Sequence, residues 1–187
     1  MIKKKNYQGH LLVANPNNPK DYLHQAVILI VTHTESLGIG LQINNPNTSL
    51  SLANIGKNIG VPFDQDYPIY YGGNISVLKI HVVHSLDWMG PSTVELVPGL
   101  GITNDVSVLA AVSRGEGPEH FRACAGYWLW EGGVLDQMLD PRDHTCTEPY
   151  RWEIAPATTR NVFLSEGEEQ WEEAIEESAK FNIASWI

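Results

Sequence analysis

The stretch that decides the fold is FRACAGYWLWEGGVLDQML, residues Phe121–Leu139. It contains a cysteine, four aromatic side chains and a Gly-Gly pair, and it ends in an apolar tail with helical spacing. Three interpretations compete for it: a cysteine active site, a phosphate-binding loop and a packed corner of the fold. Each of the three implies a different class of protein.

The cysteine interpretation depends on Cys124, which stands in the middle of a predicted strand, Phe121–Trp128. A nucleophilic cysteine needs a thiol pKa lowered by a helix N-terminus or a nearby cation, and usually a histidine base. Buried free cysteines more often behave as small hydrophobic side chains, so we expect Cys124 to lie in the core. Strand alternation then predicts one face with Arg122, Cys124 and Gly126 and another with Ala123, Ala125 and Tyr127.

The phosphate interpretation depends on Gly132-Gly133, which precede a predicted helix over Val134–Leu139. A helix N-terminus attracts anions, but neither G-x-x-x-x-G-K-[ST] nor G-x-G-x-x-G occurs in the chain, and Glu131 would repel a phosphate. We therefore predict a tight corner between strand and helix, where glycine relieves steric conflict, and no bound cofactor.

Outward from this corner, the hydrophobic pattern alternates between strands and a few helices. The run AVILIV, residues Ala26–Val31, is typical of a strand buried on both faces, and IGLQIN after it predicts the second arm of a hairpin. Helices are predicted over Leu52–Ile59, from about Asn104 to Arg114, and at the C-terminus, where Trp171, Ala174 and Ile175 face inward. A hairpin-rich sheet with few helices indicates the α+β class.

Composition excludes several classes of protein. The chain has 187 residues and a formal charge of −10, and seven glutamates lie between Ser165 and Glu177. Nucleic-acid binding needs a basic face, whereas the basic run here is Lys3–Lys5, so direct binding to DNA is not expected. Two cysteines fit a reducing compartment, and no apolar stretch is long enough to cross a membrane. We expect a cytoplasmic protein with no membrane partner.

Motifs for metal or hydrolytic chemistry are also weak. His81-x-x-His84 has metal-ligand spacing, but two histidines at i, i+3 diverge to opposite faces of a strand, so we predict no metal site. There is no G-x-S-x-G elbow, and Ser85 cannot pair with the adjacent His84 along a strand. No residue stands out as a catalytic nucleophile.

The order of the motifs resembles the AlgH/YqgE family. Gly9 with LLVANP is followed by GLQINNP, YYGG, HVVHS, LGIT, AGYWLW and the late WEEAI, so the resemblance extends from Gly9 to Ile175. It implies an α+β fold with a small barrel-like sheet flanked by helices. We expect one domain over residues 1–187, with residues 1–8 flexible and residues 141–149 forming an additional loop. The family has no established biochemical function, although some of its members carry the label of transcriptional regulator.

These patterns favour a non-enzymatic regulatory or binding module, whose partner is an unknown small molecule or protein. Strand ends and turns commonly display binding groups, and the candidate binding surface is made of such positions. They are Asn44, Pro46, Gly72, Gly73, His84, Tyr127 and Trp130. The alternative is a hydrolase with His33 or His84 as base. A DNA-binding regulator is the third hypothesis, but the chain has neither a helix-turn-helix pattern nor a basic face.

Overall fold

A computed structural model describes residues 6–140 and 149–184 of the chain. The predictions of a flexible segment over residues 1–8 and of an additional loop over residues 141–149 largely lie outside the described residues. The strands of the described part are His10–Ala14 (β1), Val27–His33 (β2), Leu37–Gln42 (β3), Pro46–Ser51 (β4), Pro68–Tyr71 (β5), Ile75–Ser85 (β6), Val94–Val97 (β7), Leu100–Thr103 (β8), Phe121–Glu131 (β9) and Trp152–Pro156 (β10). Its helices are Leu52–Ile59 (α1), Ser107–Ser113 (α2), Val134–Leu139 (α3), Thr159–Phe163 (α4) and Gly167–Ala184 (α5).

Strand β9, which carries the FRACAGYWLW motif, is the junction of the sheet. Its residues 123–125 pair in parallel with β5, whereas residues 128–131 pair antiparallel with β3. Its other edge pairs antiparallel with β6. Gly126, at φ +74°, separates the two halves of the strand, and this left-handed φ is easily adopted only by glycine. The result is one curled half-barrel sheet flanked by helices, which confirms the predicted α+β class.

The sheet around β1, β2 and β3 is covered on both faces. Val27 and Leu29 point into a cluster of buried side chains closed by α4 and α5, whereas Ile28 and Ile30 point into a second cluster closed by α3. Because successive strand residues face opposite sides, a strand between two apolar layers must be apolar at every position. The prediction of a doubly buried strand over Ala26–Val31 is therefore confirmed.

A third cluster lies between α1, α2 and the outer face of β5, β6 and β9. It is built from Leu52, Ile69, Val82, Val108, Leu109, Ala123 and Ala125. Cys124 points the other way, into the cluster closed by α4 and α5, and is fully buried. Burial raises the pKa of its thiol to about 12, so Cys124 is the small core side chain that the sequence predicts.

Tyr127 is on the opposite face from the one predicted by strict alternation. It packs with Cys124 against the first cluster, not with Ala123 and Ala125 in the third. The reason is the left-handed backbone at Gly126, where the pairing of β6 with β9 also shifts register. Four residues of β6 stand opposite Gly126 in this bulge, and the side-chain alternation of β9 is broken there.

Other boundaries differ from the sequence predictions in instructive ways. Helix α1 is capped by Ser51, whose hydroxyl accepts from the N–H of Asn54, and it is preceded by the unpredicted strand β4. Strands β8 and β10 and the short helix α4 were also not predicted. Helix α2 begins at Ser107, whose N–H donates a hydrogen bond to Oδ1 of Asp105.

The predicted corner at Gly132-Gly133 is confirmed, since Gly133 has φ +83° and a side chain at Gly132 would strike the carbonyl of Glu35.

Candidate functional site

All seven residues of the predicted binding surface lie in the described part of the structure. Asn44 is buried and holds two chain segments together: its Oδ1 accepts from the N–H of Val27 at 2.9 Å, and its Nδ2 donates to the carbonyls of Gln25 at 2.7 Å and Gly167 at 3.1 Å. It thereby fixes the start of β2 against the start of α5. Pro46 begins β4 and is exposed.

The glycine pair Gly72-Gly73 follows β5 where the backbone of β9 passes very close. A Cβ atom on Gly73 would lie 2.1 Å from the carbonyl carbon of Tyr127, and one on Gly72 would lie 2.4 Å from the carbonyl oxygen of Gly126. Contacts this short to backbone atoms cannot be relieved by rotating a side chain. The approach of two backbones explains why glycine occupies both positions.

His84 is fully buried beside Trp88, with the two ring centroids 5.4 Å apart. Its Nδ1–H donates to the carbonyl oxygen of Ser85 at 2.9 Å, so its Nε2 accepts from the hydroxyl of Thr93 at 3.3 Å. Burial lowers the pKa of the imidazole from the ordinary value of 6.5. Both nitrogens are occupied, which leaves His84 no lone pair with which to act as a general base.

The lowered pKa of His84 predicts a loss of stability on the acid side. Below pH 6.5 the unfolded chain takes up a proton that the folded protein resists, so the free energy of unfolding falls as the pH falls below that value. We expect a shallower decline in His84→Gln, because its amide can both donate to Ser85 and accept from Thr93 but does not titrate. Urea unfolding from pH 8 to pH 5 measures both slopes, and equal slopes in the two proteins would contradict the assignment.

Tyr127 and Trp130 have different neighbours. The ring of Tyr127 meets His81 edge-on at 5.7 Å, whereas the indole of Trp130 packs over Gly38 and Gly40 on β3. A Cβ atom on Gly40 would lie 2.9 Å from the Trp130 ring. Gly73 therefore adjoins Tyr127, whereas His84 packs beside Trp88, and the role of the seven residues as a common binding surface stays a prediction.

The structure instead brings another set of side chains around a cavity of about 240 Å³ between β5, the start of β9 and the α4–α5 connection. None of the seven predicted residues lines it. Aromatic rings form most of its walls, and the rings of Tyr67 and Phe121 lie 5.1 Å apart. The lining residues are Tyr67, Pro68, Tyr70, Glu119, His120, Phe121, Arg122, Phe163 and Glu166.

Arg122 is the most unusual residue of this cavity, because its side chain is charged and only 3% of the residue is exposed. Its Nη1 donates to the carbonyl of Ile43 and, at 2.7 Å, to Oε1 of Gln170, and its Nη2 donates to the carbonyl of Ser165 at 2.5 Å. Its guanidinium carbon lies 4.7 Å from the centroid of the Tyr70 ring. Burial lowers the pKa of Arg122, and the charge of Glu166 is among the influences that oppose this effect.

The hydrogen bonds of Arg122 to the described residues do not engage every N–H group of its guanidinium. A guanidinium has five N–H donors, and acceptors from the described residues engage three of them. Within this described part, Arg122 forms no ion pair with a carboxylate. A buried charge is normally paired, so Arg122 is a cation whose direct counter-charge is absent from the described protein.

Two carboxylates lie at the rim of the cavity. Glu166 accepts a hydrogen bond from the hydroxyl of Tyr70, whose pKa is raised by burial and by this carboxylate. Glu119 is largely exposed, with one carboxylate oxygen 3.9 Å from Nε2 of His120. The ring of His120 stacks on Phe163, with centroids 5.8 Å apart and planes 23° from parallel. The site thus has a buried positive end, a solvent-facing negative end and aromatic walls between them.

Strand alternation predicted only that Arg122 lies on the same strand face as Cys124. A signal was nevertheless present, because an arginine inside an otherwise apolar strand must either be exposed or find several acceptors. Its acceptors come from residues far along the chain, Ile43, Ser165 and Gln170, which a single sequence does not bring together.

The remaining candidates for chemistry are engaged elsewhere. His33 accepts from the N–H of Tyr7 at its Nδ1, 3.1 Å away, and its Nε2 lies 3.6 Å from Oδ2 of Asp136. The described residues contain no group of three or more His, Cys, Asp or Glu side chains that could hold a metal ion. None of the helices in residues 6–140 and 149–184 combines the length and the apolar composition needed to span a bilayer.

Similar proteins share the family and the fold. A UPF0301 protein of Methylococcus capsulatus is 32% identical over 169 residues, which are 89% of this chain and 88% of the relative. The solution structure of the AlgH protein from Pseudomonas aeruginosa superposes with a TM-score of 0.72 at 27% identity, covering 95% of this chain and 92% of that one. A crystal structure of protein DIP2367 from Corynebacterium diphtheriae shares the fold, with a TM-score of 0.71 at 18% identity, covering 94% and 89% of the two chains.

The profile of one protein family matches nearly the whole chain. The match extends over residues 11–180, and the family is described as AlgH-like. It agrees with the resemblance carried by the ordered motifs of the sequence and with the relatives above. The chain therefore belongs to the AlgH-like family.

Proposed function

We propose that the protein is a non-enzymatic binding module whose ligand occupies the cavity beside Arg122 and presents an anionic group to the guanidinium. The observation that carries this proposal is the buried, unpaired charge of Arg122 at the wall of a cavity. An anionic group there would supply the missing counter-charge and accept from the N–H groups that the described residues leave free. Aromatic walls would hold the remainder of the ligand.

The hydrolase alternative has less support from the described residues. His33 and His84, the two predicted bases, have their ring nitrogens engaged and do not line the cavity. His120 does line it, but no serine, threonine or cysteine stands among the lining residues to act as nucleophile. A DNA-binding regulator is not favoured either, because Glu119 and Glu166 at the cavity rim would repel phosphates.

Thermal unfolding of the full chain tests the proposal directly. A ligand that binds only the folded protein stabilises it by about 2.7 kcal/mol at a concentration of 100 times its Kd. We expect a dose-dependent rise in Tm with at least one member of a panel of carboxylates, phosphate esters and amino acids. The effect should weaken in His120→Ala, which removes one aromatic wall.

A matched control is His10→Ala. His10 is also half-buried and meets a phenylalanine ring, Phe181, at 5.9 Å, but it lies outside the cavity. Its removal should leave the ligand-dependent rise in Tm unchanged. A flat response of the wild-type protein to the whole panel, or an equal loss in both variants, would count against a ligand in this cavity and favour a protein partner.

A further inference from the structure

We infer that the ligand of this cavity is a free α-amino acid, bound as a zwitterion with its carboxylate on Arg122 and its ammonium group on Glu166. This inference rests on the proposed function, since it names the chemical class of the ligand in the same cavity. It begins from the two opposite charges that the cavity presents at different depths, Arg122 in the interior and Glu166 at the rim.

The positive end is specific for a planar anion. Free N–H groups of a guanidinium form a rigid fork that matches the two oxygens of a carboxylate. The fork of Arg122 is held in place, because its other N–H groups donate to Ile43, Ser165 and Gln170 and its face lies over the ring of Tyr70. A carboxylate that enters the cavity therefore meets a pre-positioned partner.

The negative end disfavours a ligand that is only an anion. Glu166 and Glu119 both line the cavity, and a phosphate or a simple carboxylate bound to Arg122 would be repelled by them. An ammonium group beside the ligand carboxylate converts this repulsion into attraction. The hydroxyl of Tyr70 binds Glu166 and so fixes the carboxylate that would receive the ammonium group.

Size and wall chemistry limit the rest of the ligand. A volume of about 240 Å³ is large enough for a single amino acid. The walls are the rings of Tyr67, Phe121, Phe163 and His120, which favour a planar or apolar side chain. We therefore expect aromatic or aliphatic amino acids to bind more tightly than acidic ones, whose second carboxylate would face the glutamates.

The test measures Tm and calorimetric affinity for the full chain with each standard amino acid, and then with derivatives of the best of them. With phenylalanine as the representative probe, its amide lacks the carboxylate, and N-acetylphenylalanine lacks the ammonium group and mimics the end of a peptide. We expect the free amino acid to bind and each derivative to lose at least about tenfold in affinity.

Glu166→Gln supplies the decisive variant, because its amide oxygen can still accept from Tyr70 while the charge is removed. It should weaken binding of the free amino acid by about tenfold, whereas binding of the anionic N-acetylphenylalanine should stay unchanged or tighten, because a repelling charge is removed. Glu169→Gln, an exposed neighbour on α5 outside the cavity, should change neither affinity.

The possible results separate this inference from the proposed function. If N-acetylphenylalanine binds as tightly as phenylalanine, or if Glu166→Gln has no effect, the cavity takes an anion and the zwitterion inference is wrong. If no amino acid binds but another anion raises Tm, the proposed function stands and the inference falls. If no compound of either panel raises Tm, both fall together.

Discussion

Replacing Arg122 with methionine is expected to lower the free energy of unfolding by about 3 kcal/mol, because three buried acceptors lose the guanidinium that donates to them. Methionine has a similar length, so the change leaves little empty volume. It does leave the carbonyls of Ile43 and Ser165 and the amide oxygen of Gln170 without their donor. Each buried acceptor without a partner destabilises the fold by about 1 to 3 kcal/mol, although such contributions do not simply add.

Urea unfolding at pH 7.5 measures this effect, and Arg114→Met is its matched control. Arg114 is 59% exposed and pairs with Glu116 on the surface, so its replacement should change the free energy of unfolding by no more than about 0.5 kcal/mol. If Arg122→Met were as stable as Arg114→Met, the guanidinium would not hold the α4–α5 connection against the sheet.

Gly73→Ala is expected to destabilise the protein by about 3 kcal/mol or more, at the upper end of what overpacking produces. The new methyl group would meet three backbone atoms of Tyr127 and Trp128 at 2.1 to 2.5 Å. Relief requires β5 and β9 to separate next to their hydrogen-bonded segment, since no side chain can rotate out of the way. Thermal and urea unfolding of the variant measure the loss.

Gly60→Ala separates this steric effect from backbone strain. Gly60 ends α1 at φ +71° and has open space where a Cβ atom would stand, so alanine there meets only the strain of a left-handed φ, about 1 to 2 kcal/mol. We expect Gly73→Ala to be clearly the less stable of the two. The reverse order would show that β5 can move away from β9 at little energetic expense.

The sequence predicted those structural features that depend on residues close together in the chain. The doubly apolar run of β2 predicted a strand between two layers, and Gly132-Gly133 predicted the corner before α3, because periodicity and glycine placement act within a few residues. The burial of Cys124 followed in the same way from its position within an apolar strand.

The sequence did not predict those structural features that depend on contacts between residues far apart in the chain. Strand β10 is short and mixed in polarity, and it is a strand because β1 pairs with it. The face on which Tyr127 lies depends on the left-handed backbone of Gly126. The cavity forms where β5, β9 and the α4–α5 connection meet around Arg122. Pairing of segments more than a hundred residues apart leaves no periodic trace in either segment.

The pairing of β1 with β10 has a consequence for how the protein is made. His10 faces Pro156 in this ladder, so β1 is synthesised long before β10, the strand that pairs with it. Until β10 pairs with it, the outer edge of β1 exposes unpaired N–H and C=O groups next to the apolar side chains of Leu11, Leu12 and Val13, the kind of surface that associates with other chains. Synthesis of β10, and not of β1 and β2 alone, is therefore the event that closes this sheet edge.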